Sequence, residues 1–174
     1  DQIEAISGKI VESYSIIPHG VDKKFFLEPR KQLDIAAYHE SRPFRLLCVS
    51  PIWPYKNYEN VVLAISRLRD AGYPIRLDIV GSHPHLASYT NLMASLESVD
   101  KKREYIYYHG PKTFNEVLSF YHEADLFVFA SSCESFGQII TEAMASGLPI
   151  ACSKLSSMAE TLGDSAIYFD PFSS

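Results

Sequence analysis

The sequence predicts an α/β fold, a doubly wound and mainly parallel six-stranded sheet of the Rossmann-like kind. Three observations predict it. Short apolar runs alternate with stretches of helical periodicity, which is the signature of βαβ crossovers. Turn and cap residues separate the two kinds of segment along most of the chain. The 174 residues, 47% hydrophobic, can fill the core of one domain of this size.

The elements follow in order from residue 44. "FRLLCVS" is an apolar run and reads as the first strand. The loop "PIWPYKN" leads to Asn57, a cap residue for a helix over residues 58–71 with Val61, Val62, Ile65 and Leu68 on one face and Gly72 as its stop. "PIRLDIVG" is the second strand. A helix over 85–99 follows, with Leu86, Tyr89, Met93 and Leu96 at helical spacing. "REYIYYHG" is the third strand. Thr113 with Glu116 three residues on forms a capping box for the next helix, over 113–124. "DLFVFAS" is the fourth strand. "FGQIITEAMAS" is a helix with an apolar arc of Ile139, Ala143 and Met144, stopped by Gly147. "LPIACS", a short helix in "SSMAETLG" and the strand "AIYFDP" complete the series.

Residues 1–26 fall outside this rhythm. "DQIEAISGKIVESY" reads as a helix plus connector and "SIIPHGVD" as a short strand and turn, so residues 1–26 are expected to form a linker and 27–174 the domain. The chain begins without methionine and ends soon after "FDPFSS". It therefore reads as a segment of a longer protein, truncated at its C-terminal end.

Composition excludes several function classes. A net charge of -5 and a pI near 5.7 argue against nucleic acid as a partner. No stretch approaches the ~20 apolar residues of a membrane span. The three cysteines match no zinc spacing; Cys48 and Cys152 lie in apolar runs and read as buried hydrophobes, which suits a reducing compartment. No two glycines lie within eight residues of each other, which excludes the dinucleotide and P-loop fingerprints. There is no Asp-x-Asp pair to hold a divalent cation, and His83 and His85 flank a proline with no further ligand nearby, so no metal is expected.

In a sheet of this kind ligands bind beyond the carboxyl ends of the strands. The informative loops are then 50–57, 81–86, 109–113, 130–137 and 152–156. In the fourth, Ser135, Phe136 and Gly137 stand where a strand hands over to a helix. The first N–H groups of a helix lack internal partners, and its dipole favours an anion there. Lys56 lies at the same sheet edge and can add a full charge to a bound phosphate. Glu134 precedes this helix start and Glu142 follows it by about one and a half turns. Carboxylates bind vicinal hydroxyls, so the two acids can grip the sugar and the ribose of a nucleotide sugar whose diphosphate lies between them.

The same residues carry a resemblance. "ESFGQIITEAMASGLPI" looks like the Glu-x7-Glu motif in the C-terminal domain of GT-B glycosyltransferases of glycosyltransferase family 4. "IIPHGVDKKFF", "VSPIWPYKN", "LDIVGS", "HGPKTFNEVLSFYHEADLFVFAS" and "SSMAETLGDSAIYFDP" resemble further family segments in the right order. The resemblance implies a donor-binding domain of a retaining hexosyltransferase that takes a UDP- or GDP-linked sugar and needs no metal. It implies that Glu134 holds donor hydroxyls near the anomeric centre and that Lys56 neutralises the diphosphate. Phe136, Gly137 and Gln138, with Ser135, would present the helix start to sugar and diphosphate, and Glu142 would bind ribose. The segment His109, Gly110 and Lys112 would lie by the base, and Gly81 would also belong to the donor-binding set. The acceptor, a glycan or lipid-linked glycan, would be bound by an N-terminal domain. Polysaccharide or lipopolysaccharide assembly at the inner face of the membrane, in the cytoplasm, would be the setting, and this segment alone would not transfer sugar.

The chain departs from the family pattern at Pro51, where many members carry a second cation, and at His19, where asparagine is usual. Tyr55 also stands where some members have arginine. Two rival readings are a GT-B nucleotide-sugar epimerase and a non-catalytic flavodoxin-like module. Cys133 reads as an incidental loop residue, and "VDKKRE" as a solvated connector. Trp53, at the ligand edge, reads equally as a substrate contact and as a cover for its loop.

Overall fold

A computed structural model describes residues 5, 6, 8, 15, 17–29 and 32–173. Six parallel strands run in the order β3-β2-β1-β4-β5-β6. They are β1 (Phe44–Val49), β2 (Ile75–Val80), β3 (Ile106–Tyr108), β4 (Leu126–Phe129), β5 (Ile150–Ser153) and β6 (Ile167–Phe169). Between them lie α1 (Tyr58–Asp70), α2 (Leu86–Val99), α3 (Phe114–Glu123), α4 (Gln138–Ala145) and α5 (Met158–Leu162). The strand order reverses between β1 and β4, so the loops that leave these two strands flank the crevice where such sheets take their ligands.

Alternation along the strands builds two cores. Leu46 and Cys48 of β1, with Leu77, Ile79 and Ile106, pack under Val61, Val62 and Ile65 of α1 and Leu92 and Leu96 of α2. Leu47 and Val49, with Phe127 and Phe129, face the other way, toward Leu118 and Tyr121 of α3 and Ile140 and Ala143 of α4. Each such side chain, fully buried, contributes roughly 1.5–3 kcal/mol.

Several sequence expectations are corrected. Residues 17–22 form no strand; the chain enters through a 3-10 turn, Lys23–Phe25, capped by the Asp22 carboxylate, and a second, Ile35–Ala37, capped by Asp34. Phe25 is buried and meets the rings of Phe114 and Tyr121 edge-on, and the Leu27 N–H bonds the Ala145 carbonyl, so the leading segment contributes to the core. Beyond residues 5, 6 and 8, the helix read into 1–14 lies outside the described residues. The buried face of α2 is Ser88, Leu92 and Leu96; Leu86 is 74% exposed. In α4, Ile140 takes the core position and Met144 is exposed.

The third strand is also shorter than expected, and the reason lies in "VDKKRE". Asp100 is buried, and its carboxylate accepts the N–H groups of Glu104, Tyr105 and Ile106. The N–H groups of Glu104 and Tyr105 are thereby taken before β3 begins, and so is that of its first residue, Ile106. The connector is solvated at Lys101, Lys102 and Glu104, and the ion pairs of the two lysines are loose and exposed.

Candidate functional site

The loops after β1 and β4 are stitched together at the crevice. Asn57 does not cap α1 with its side chain. It adopts a left-handed conformation, φ 52°, and its Nδ2 donates to the carbonyls of Ala130 at 2.8 Å and Tyr55 at 3.0 Å. The Tyr55 carbonyl also accepts the N–H of Ser132 at 2.8 Å. These bonds fix Lys56 against the end of β4. Its side chain is 6% exposed, and its ammonium lies 4.8 Å from the centre of the Phe129 ring and 5.2 Å from that of Tyr55.

Lys56 meets Glu134 directly, in a short ion pair with Oε1. The sequence places Lys56 at the same sheet edge, as a charge for a bound phosphate, and does not pair it with Glu134. The topology brings them together, because β1 and β4 are neighbours and each loop turns toward the other. Ser131 Oγ reaches the same oxygen at 2.7 Å. The backbone of Glu134 is held too: its N–H donates to Ser156 Oγ at 3.0 Å and its carbonyl accepts from the same hydroxyl at 2.6 Å.

The chain then turns into α4 through Gly137, whose φ of 77° is left-handed. A Cβ there would stand 3.0 Å from Ile140 Cδ1, so glycine serves both conformation and space. The amides of Phe136, Gly137 and Gln138 open this helix, and Ser135 and Gln138 are exposed beside them. His19, from the leading segment, lies with its ring 5.5 Å from that of Phe136.

Glu142, in the second turn of α4, is half-buried. Burial pushes its carboxyl above the ordinary range, opposed by a hydrogen bond that Tyr121 Oη donates to Oε2 at 3.2 Å. Burial, together with the charge of Glu142, raises the Tyr121 phenol well above its usual value and keeps it a donor.

The remaining expected residues divide. A Cβ on Gly81 would stand 1.9 Å from the Ser50 carbonyl oxygen, so this glycine lets β1 and β2 close at their carboxyl ends. Its N–H bonds the carbonyl of Gly110 at 3.0 Å, which joins two of the expected loops. Lys112 is exposed and pairs with Glu116 across one turn at 3.7 Å. Thr113 and Glu116 form the expected capping box, which holds the Glu116 carboxyl below its usual range.

Other positions acquire partners that the sequence did not reveal. His109 bonds Asp78, a buried carboxylate in β2, at 2.7 Å. Burial raises the Asp78 pKa, but the bonds from His109 and Arg76, with the charges of Arg76 and Arg45, outweigh it and hold the group low. "LDIVGS" alone gives no signal for this cluster, since its members come from β1, β2 and the loop after β3. His85 is a cap rather than a loop residue, accepting the Ser88 N–H at its Nδ1, and His83 stacks on Tyr89. Trp53 lies beside His85, with centroids 6.0 Å apart. Cys48 and Cys152 are buried, their thiols pushed up to about 12 and about 11 by burial, while Cys133 is exposed. No helix among the described residues is long and apolar enough to cross a membrane.

Residues 30–173 match the family of glycosyl transferases group 1. The chain belongs to that family. Relatives include the O-antigen chain mannosyltransferase RfbU of Salmonella typhimurium, 26% identical over 160 residues, which cover 92% of this chain and 41% of RfbU. Another is the serotype-specific mannosyltransferase WbdA of Escherichia coli, 25% identical over 174 residues, 98% of this chain and 20% of that protein. The chain thus spans less than half the length of these relatives. Among solved structures, a glycosyltransferase from Rickettsia africae superposes with a TM-score of 0.66 at 20% identity, over 75% of this chain and 34% of that one. HepE of Anabaena, in complex with UDP-glucose, superposes with a TM-score of 0.68 at 17% identity, over 76% of this chain and 36% of that one. The six-stranded parallel sheet is accordingly that of a GT-B glycosyltransferase C-terminal domain.

Proposed function

We propose that this domain binds the nucleotide-sugar donor of a retaining glycosyltransferase of family 4, with a UDP- or GDP-linked hexose as donor. One observation carries the reading. Lys56, Glu134 and the first amides of α4 converge where the strand order reverses, and Glu142 stands one helical step beyond. A diphosphate over the helix start would meet the amides of Phe136, Gly137 and Gln138. The sugar would lie toward Glu134 and the ribose toward Glu142. Lys56, although paired with Glu134, sits at this edge and would neutralise charge on the departing diphosphate. Gly81, Gly110 and Lys112 would border the base.

The mannosyltransferase names of several relatives favour a mannosyl donor, hence GDP-mannose as the first ligand to test. The acceptor, a glycan or lipid-linked glycan of surface polysaccharide assembly, would be held by a further domain of the full-length protein, working in the cytoplasm at the inner face of the membrane. No metal enters this reading. Calorimetric titration with GDP, UDP, GDP-mannose and UDP-glucose, with and without magnesium, tests it. Binding of one nucleotide series at micromolar levels, unchanged by magnesium, is expected. Failure of folded protein to bind any of the four would overturn it.

A further inference from the structure

The loop that carries Glu134 is bound by a set of serine hydroxyls that the donor reading does not use. Ser131 is fully buried. Its Oγ lies 2.7 Å from Glu134 Oε1 and 3.3 Å from the Cys133 carbonyl, and the shorter contact is the donated bond. The carbonyl of Ser131 in turn accepts a short bond from the hydroxyl of Ser153, itself fully buried in β5. Ser156 clasps the peptide of Glu134 from both sides, and Ser157 Oγ donates to the same carbonyl at 3.2 Å. Three hydroxyls, those of Ser131, Ser156 and Ser157, therefore converge on Glu134, and a fourth, that of Ser153, holds Ser131 in place.

The arrangement is asymmetric at the carboxylate. Lys56 and Ser131 both take Oε1, and Oε2 carries no hydrogen bond among the described residues. A carboxylate gripped at one oxygen cannot rotate freely, so its second oxygen is offered in a fixed direction. Fixing a bond donor or acceptor before the ligand arrives spares the ordering cost on binding.

We propose that Ser131 is a positioning residue for Glu134, braced by Ser153, Ser156 and Ser157. It acts with Lys56 to hold Oε1 and present Oε2 to the hydroxyls of the donor sugar. This rests on the donor-site reading above and adds to it which residues set sugar recognition apart from nucleotide recognition. Ser131 makes no contact with the ligand itself. Its effect passes through Glu134 and is confined to the sugar.

The test compares two affinities, for the nucleoside diphosphate and for the matching nucleotide sugar, with GDP and GDP-mannose and then UDP and UDP-glucose as probes. Ser131→Ala is expected to reduce the gain in affinity that the sugar supplies by about tenfold, the scale of one hydrogen bond to a charged group. Affinity for the diphosphate alone stays within about twofold. Ser156→Ala, at an exposed position, lowers the same ratio by about threefold through a looser Glu134 backbone. Equal losses for both ligands, or no loss for either, would overturn the proposal. So would an unaltered protein that binds nucleotide but gains nothing from the sugar, a result that leaves the nucleotide site standing. An unaltered protein that binds neither ligand overturns the donor-site reading first and this role with it.

Discussion

Glu134 and Glu142 are the same residue type eight positions apart, yet they sit in opposite electrostatic surroundings. Glu134 lies in a loop and is held by a buried ammonium and a hydroxyl on Oε1 and by two hydroxyls on its backbone. Glu142 lies on a helix face, half-buried, with a phenol on Oε2. Burial pushes its carboxyl up, and the Tyr121 bond opposes this only in part. The difference teaches that the motif supplies one acid already engaged with a cation and one whose charge is still costly.

The largest effect should come from removing the first acid. Glu134→Ala leaves Lys56 buried and unpaired, which is expected to cost about 3 kcal/mol in denaturant unfolding. Adding Lys56→Met should recover most of that loss, because the stranded charge is gone. A loss from the single change below about 1 kcal/mol would mean that the ammonium reaches water unaided, and the contrast between the acids would weaken.

The turn between the acids comes next. Gly137→Ala forces a left-handed L-residue and a Cβ 3.0 Å from Ile140 Cδ1, for an expected loss of about 1–2 kcal/mol. A thermal melt of the variant checks this, and an unchanged melting temperature would show that the turn relaxes. Asn57→Ala removes both bonds that hold the lysine loop to β4 and should cost about 1 kcal/mol, again read by denaturant.

The smallest effect belongs to the second acid, and its sign is the informative part. The folded pKa of Glu142 is raised, so the stability linked to its protonation is fully present below the ordinary carboxyl value of about 4.3 and is lost as pH rises through the folded pKa. Glu142→Gln removes that loss. Relative to the unaltered protein, the variant should be more stable at pH 7 than at pH 4. A stability difference that does not change with pH would mean that Glu142 is effectively solvated.

The fold was legible because alternation and caps are local signals. All six strands and the five helices stand where the periodicity put them, and the capping box at Thr113 formed as spelled. The misses have physical causes. Phe25 lies in a stretch without periodicity and is buried only because α3 and α4 leave room for it. Asp100 looked solvated since acids in charged runs usually are, but three backbone donors converge on it. At the candidate site, the placement of Glu134, Gly137 and Glu142 around one helix start could be read from spacing. That Lys56 and Glu134 touch could not, because strand adjacency across the reversal joins residues 78 positions apart.

The central claim is that one ligand lies across the start of α4, between the two loops at the reversal. Amide hydrogen exchange with and without saturating nucleotide sugar tests it most directly. The account predicts slower exchange in residues 50–57 and 131–142, and no change in α1 around Leu68, which is exposed near the C-terminal end of that helix, away from the crevice. Protection confined to other segments, or none from a nucleotide that demonstrably binds, would contradict it.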